Sequence, residues 1–161
     1  MTGTVGALLT GTWTSDQLKQ GMSPSLPGAK FMDDDGKVYK FVQYESGAGA
    51  VPAVAGNVCY YYAPGGVSAG STSVVTSDVS DSAGLGAGVL QAAPADGEYC
   101  WIQIRGPATL TTALTAGADG NALTAVGATD GTLDVSALVT DPVVAFAVDA
   151  SAKIIMCMFP E

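Results

Sequence analysis

The chain predicts an all-β fold, an antiparallel β-sandwich or small β-barrel with an extended N-terminal arm. Three observations carry this expectation. From residue 89 onward the apolar runs are short and are cut at close intervals by Gly, Pro and Asp, the pattern of strands joined by tight turns. Small residues dominate: 21 glycines stand among many Ala, Ser and Thr, favouring tight turns and close backbone approach over thick hydrophobic layers. A hydrophobic content of 48% and a mean hydropathy of +0.33 argue against disorder. At 161 residues there is room for one core, or for a core plus an arm.

Residues 1–36 mix Gly, Thr, Ser and Pro with few apolar anchors and end in Asp33-Asp34-Asp35-Gly36, so they read as an extended arm. A short amphipathic turn is expected near Ser15 to Gln20, with Ser15 as cap. The β domain spans residues 37–161. It opens with strands over Val38–Tyr44 and Asn57–Tyr62, joined by a Gly/Ala-rich loop near 45–57. Residues 63–88 read as a second loose segment with one short strand at Ser73–Thr76. Seven strands follow, over 89–93, 98–105, 108–113, 121–126, 132–135, 143–149 and 153–159, each bounded by a turn residue. No fixed-period repeat stands out, which disfavours propellers and solenoids.

Alternation sorts the faces. In 98–104, Cys100, Ile102 and Ile104 share one face, and Tyr99, Trp101 and Gln103 the other, so both faces are expected to be covered. The cover over Tyr99 and Trp101 is either a wall of the chain's own core or a neighbouring subunit. In 143–148, Val144, Phe146 and Val148 alternate with Val143, Ala145 and Ala147, so a bulky face backs onto a small one. Tyr60-Tyr61-Tyr62 places rings on both faces of its strand, which fits either an oligomer or ligand interface, or a strand end with its hydroxyls in solvent.

Charge divides the chain unequally. Lys19, Lys30, Lys37 and Lys40 nearly balance the acids of residues 1–50, whereas only Arg105 and Lys153 offset eight Asp and two Glu in residues 51–161, and the net charge is -9. Binding DNA or RNA relies on Lys and Arg releasing phosphate counterions, so nucleic acid is not an expected partner. The four lysines form the candidate contact surface for an acidic partner, or simply solvate the front end. The first ten residues lack a basic leading segment, and no apolar stretch approaches the roughly 20 residues that span a bilayer, so no membrane role is expected. Cys59, Cys100 and Cys157 lie far apart in apolar runs and read as buried hydrophobes made in a reducing cytoplasm.

Chemistry finds little support. There is no histidine to act as base for a Ser or Cys nucleophile. The Asp33–Asp35 run lacks the spaced ligands of a Ca²⁺ loop and reads as a solvated turn. Three scattered cysteines give no zinc spacing, and no phosphate- or dinucleotide-binding fingerprint is present. The expectation is a non-enzymatic chain with no cofactor and no metal; a two-carboxylate hydrolase ranks last among the alternatives.

Residues 88–106, GVLQAAPADGEYCWIQIRG, then Gly120-Asn121-Ala122-Leu123, then Val144-Ala145-Phe146-Ala147-Val148 and the closing apolar strand, resemble the tailed-bacteriophage capsid decoration (cement) proteins over about residues 85–159. The front segment, residues 1 to about 84, is a departure from that group. The resemblance implies a small β-rich virion protein on the outer surface of the head, commonly a homotrimer, that clamps neighbouring major capsid protein subunits. On that expectation Lys19, Lys30, Lys37 and Lys40 are the capsid-contact candidates, and Tyr60, Tyr61, Tyr62, Tyr99 and Trp101 the oligomer or ligand interface candidates. The alternative is a receptor- or glycan-binding β-module of a phage fibre or adhesin, using the same aromatic residues.

Overall fold

The computed structural model describes residues 9–161. Its strands are β1 (Lys30–Met32), β2 (Val38–Tyr44), β3 (Val58–Tyr62), β4 (Val74–Thr76), β5 (Ser82–Leu90), β6 (Tyr99–Thr109), β7 (Ala122–Thr124), β8 (Asp134–Val135), β9 (Ala145–Asp149) and β10 (Ile154–Met158). Five of them close a barrel in the order β2-β4-β3-β5-β6, with β6 returning to β2. Of the two architectures expected, the barrel is the one formed. The β2–β4 pair is parallel, so the barrel is not antiparallel throughout.

Length mismatch explains the extra strands. The 11-residue β6 outruns its barrel neighbours, and its second half pairs through Arg105–Thr109 with β10. From there a sheet runs outward in the order β6-β10-β9-β7-β8. The Gly106-Pro107 pair, which reads as a break between two strands, is a bend within one. Gly106 takes the left-handed φ of +95°, and the buried Gln103 amide donates to the carbonyls of Arg105 and Pro107, both at 3.0 Å, holding the bend.

The segment 82–88, expected to be loose, is the first part of β5. Two of its glycines, Gly86 and Gly88, are packing devices rather than loop residues. A Cβ on Gly86 would lie 2.9 Å from the Phe159 ring, and one on Gly88 would lie 2.8 Å from the Gln103 carbonyl oxygen. The core they admit is continuous, with Tyr44, Tyr60, Leu90, Ile102, Ile104 and Phe159 fully buried in it. Cys59, Cys100 and Cys157 are free and buried, and burial raises all three thiol pKa values.

Over residues 9–36 the arm is seated against the barrel; residues 1–8 lie outside the described residues. Trp13 exchanges both backbone hydrogen bonds with Tyr99, at 3.0 and 2.7 Å. A single helical turn, α1 (Ser15–Lys19), follows. Its cap is Thr14, one residue before the expected Ser15. The Thr14 hydroxyl accepts from the Gln17 amide while the Gln17 side chain accepts from the Thr14 amide, a reciprocal capping box. The chain then pairs β1 with β2 through a turn in which Asp33 accepts from the Asp35 and Lys37 amides.

What holds the arm is a second apolar cluster outside the barrel. Tyr39, Phe41 and Trp101 are buried there under Leu9, Trp13, Leu18 and Phe31. Phe41 stands 5.6 Å from Trp13, 6.0 Å from Tyr99 and 5.1 Å from Trp101, between ring centroids. The second face of β6 is therefore covered by the chain's own arm and not by a neighbouring subunit.

Candidate interaction surface

The outward sheet β6-β10-β9-β7 has apolar residues on both faces. Inward, Ala145, Ala147, Ile155 and Cys157 join the core. Outward, Phe146, Val148, Met156 and Met158 are 38%, 49%, 40% and 47% exposed. The alternation of β9, which left open the face that turns inward, resolves with the small alanines on the core and the bulky residues in solvent. Val144, which precedes the strand, is the exception and is buried.

Strand register turns these residues into rows. Pro107 of β6 opposes Met156 of β10, Met156 opposes Phe146 of β9, and Phe146 opposes Ala122 of β7. Beside that row Met158 opposes Arg105. At about 4.8 Å between strands and about 3.3 Å per residue, four strands of this length present roughly 300 Å² of flat surface. That is the size of the largest apolar patch on a typical monomer, about 300–600 Å², which is often functional. The loop entering β9 adds exposed Leu138, Val139 and Val143.

Charge is confined to the rim. Glu161 bridges Arg105 at 3.1 Å and Lys30 at 3.3 Å, and this pair of exposed cations lowers its pKa, mainly through the Arg105 hydrogen bond. In a chain of net charge -9, the central row of Pro107, Met156, Phe146 and Ala122 carries no carboxylate. Two acidic bodies repel each other over most approaches, and least where such a row meets its partner.

The residues chosen from sequence fall elsewhere. Tyr60 and Tyr61 are buried, so neither can reach a ligand. The Tyr60 hydroxyl shares its one proton between the Thr129 carbonyl at 2.8 Å and the Thr132 carbonyl, and accepts from the Thr132 amide at 3.1 Å. Tyr61 donates to the Pro160 carbonyl at 3.1 Å, and burial pushes its pKa up to about 12. Tyr99 and Trp101 belong to the cluster under the arm. Tyr62 alone of the run is half-exposed, and its pKa is raised by desolvation and by nearby acids, Asp81 first.

The lysines also separate. Lys19 and Lys30 are exposed, Lys30 in its ion pair with Glu161, and Lys37 is half-buried, but Lys40 is only 3% exposed. Its ammonium donates to the Thr72 carbonyl at 2.9 Å and the Tyr61 hydroxyl at 3.3 Å, and lies 5.1 Å from the Tyr61 ring centroid. Burial first, then the charge of Lys30, lowers its pKa. Lys40 is a structural clasp. Alternation could have placed it inside, because Val42 and Tyr44, two and four residues on, are core residues.

At one end of the barrel a ring of acids holds the Gly/Ala loop near 45–57 that reads as loose in the sequence. Asp78 accepts from the Gly49 amide at 2.8 Å, Asp81 from Ala48 at 2.6 Å and Asp96 from Ser46 at 2.8 Å. A Cβ on Gly47, whose φ is +74°, would lie 2.7 Å from an Asp78 carboxylate oxygen. The Ser80 hydroxyl, with backbone amides behind it, lowers the Asp78 pKa, and the Ser46 amide lowers that of Asp96. Glu45 is shifted up by desolvation and by Asp96. Among the described residues no group of three or more His, Cys, Asp and Glu is placed to hold a metal ion.

The sign of the acid dependence follows. Carboxylates with depressed folded-state pKa values stabilise the fold above the ordinary carboxylate range, and that stabilisation is lost as pH falls through the lowered values. Glu45 acts in the opposite sense and offsets part of it. Asp78→Asn removes one acceptor from donors that need two, so it should cost about 1–3 kcal/mol at pH 7. It should also flatten the fall in melting temperature between about pH 5 and pH 2. Thermal unfolding across that range checks both.

A shallow groove of about 460 Å³ between β5, β6 and β10 is lined by Gln91, Gln103, Thr109 and Ile154 among others. Its amide donors are already committed, Gln91 to the Val89 carbonyl and Gln103 to Arg105 and Pro107. Compared with known protein families, characterised proteins and solved structures, the chain matches none.

Proposed function

We propose that this chain is a structural virion protein that binds the outer surface of a phage head and stabilises contacts between major capsid protein subunits. It self-associates, as a homotrimer, through the apolar outer face of β9 and β10. The observation that carries the reading is the inverted alternation of β9, with alanines inward and Phe146 and Val148 in solvent. Placing large apolar side chains outside on a rigid sheet lowers solubility unless another surface covers them. A patch of roughly 300 Å² falls short of the about 800 Å² per partner of a standard interface. It therefore serves as the apolar centre of a contact whose rim is polar, and an oligomer multiplies weak shell contacts into firm attachment.

Lys19, Lys30 and Lys37 remain the cations for the shell contact, with Lys40 withdrawn from that role. The sequence resemblance to decoration proteins supports the same reading. The glycan-binding alternative loses its main support with Tyr60 and Tyr61 buried.

The test is to mix the purified chain with undecorated phage heads. Saturable, stoichiometric binding that raises the melting temperature of the heads is expected. Absence of binding to heads of every morphology tried would sink the proposal.

A further inference from the structure

The Met156 and Met158 thioethers sit two residues apart on the outer face of β10. Met156 is bracketed across the sheet by Pro107 and Phe146, and Met158 lies beside Arg105. Both are open to solvent in the protomer, at 40% and 47% exposure. Among the described residues no polar group is hydrogen-bonded to either sulfur, whereas Cys157 between them points into the core. A face built for burial therefore has two oxidisable sulfurs at its centre.

We infer that Met156 and Met158 form a redox-sensitive modification site. A peroxide oxidises them in the free protomer and blocks self-association, whereas assembly shields them. The inference rests on the self-association reading above and names its regulation. In the step, a lone pair of the thioether sulfur attacks one oxygen of hydrogen peroxide. The S–O bond forms, the O–O bond breaks, and the other oxygen leaves as water after proton transfer. Sulfur loses two electrons and the peroxide gains them. The product sulfoxide is polar, and at Met156, flanked across the sheet by Pro107 and Phe146, a strongly dipolar S=O has no side-chain donor opposite it once the face is covered. Unbranched, polarizable Met makes adaptable interface contacts in the reduced form, and the same side chain becomes a polar obstruction when oxidised.

Met22 and Met32, at 60% and 65% exposure, lie outside the central row and provide reference sulfurs in the same molecule. The experiment is hydrogen peroxide treatment of the whole chain at low and high protein concentration. Sulfoxide is located by mass spectrometry and mass is followed by light scattering. In dilute solution Met156 and Met158 should oxidise at rates within a few-fold of Met22. In the oligomer they should slow by at least tenfold while Met22 does not. Oxidation should weaken association at least tenfold, and the M156L/M158L variant should keep its oligomeric mass after the same treatment. An oxidised wild type that keeps its oligomeric mass, or a Leu variant that dissociates as readily, overturns the inference. An untreated chain that is already monomeric at every concentration overturns the self-association reading, and this inference with it.

Discussion

On the proposed self-association, replacing Phe146 by Glu together with Met156 by Lys should yield single chains without unfolding them. The two positions oppose each other directly in the β9–β10 register, so the new charges attract within the protomer. Both sites are exposed, and the expected change in folding stability is within about 1 kcal/mol. In the proposed assembly the same pair would occupy the centre of the contact, where desolvating two ions costs several kcal/mol. A loss of about 3 kcal/mol corresponds to an association constant lower by more than a hundredfold. Sedimentation of the variant beside the wild type, with thermal unfolding as the control for folding, reads both halves. A variant that stays assembled places the contact elsewhere.

The second large effect concerns the barrel's plug. Phe159, fully buried beside Gly86 and Val144, closes the core after β10, and its amide donates to the Ile104 carbonyl at 3.0 Å. Phe159→Ala should cost about 3–5 kcal/mol through lost transfer energy and an unfilled cavity. That is a large share of the about 5–15 kcal/mol that holds a domain of this kind together. Gly86→Ala should cost about 1–3 kcal/mol by itself, because its methyl group would sit 2.9 Å from the ring. The double variant should be less unstable than the sum, by about 0.5–3 kcal/mol, because the new methyl enters space vacated by the ring. Denaturant titrations of the four proteins give the coupling. Strict additivity would show that the glycine is not kept small by Phe159.

How far these features could be read in advance depends on what each residue reports. Val38–Tyr44 was legible to the residue, since a β-branched and aromatic run between Gly36 and Glu45 has few other options. The face of β6 carrying Cys100, Ile102 and Ile104 was legible from alternation alone. Gly86 and Gly88 misled because a glycine kept small for packing looks the same in sequence as one placed for a turn. Only the Phe159 ring and the Gln103 carbonyl, distant in sequence, tell them apart. Gly106-Pro107 misled for a related reason, since the bend is supported by the Gln103 side chain rather than by local propensity.

The candidate surface was half legible. The bulky and small faces of residues 143–148 could be separated by period, but not which of them faces inward. Burial there is decided by Ile155 and Cys157 of β10 and by the bend in β6 that puts the outer sheet where it is. The tyrosine run drew attention because Tyr is frequent at interfaces, yet Tyr60 and Tyr61 spend their hydroxyls on internal carbonyls. The Thr14-to-Gln17 capping box was present in the sequence, one residue before the expected cap, and with Trp13 it marks where the arm returns to the barrel.

The most direct test of the central claim is the absolute mass of the intact chain in solution, by light scattering over a wide range of protein and salt concentration. A neutral apolar contact predicts a mass that is a multiple of 16.1 kDa and that holds or strengthens as salt screens the acidic bodies. A mass of 16.1 kDa at every concentration and every ionic strength would contradict it.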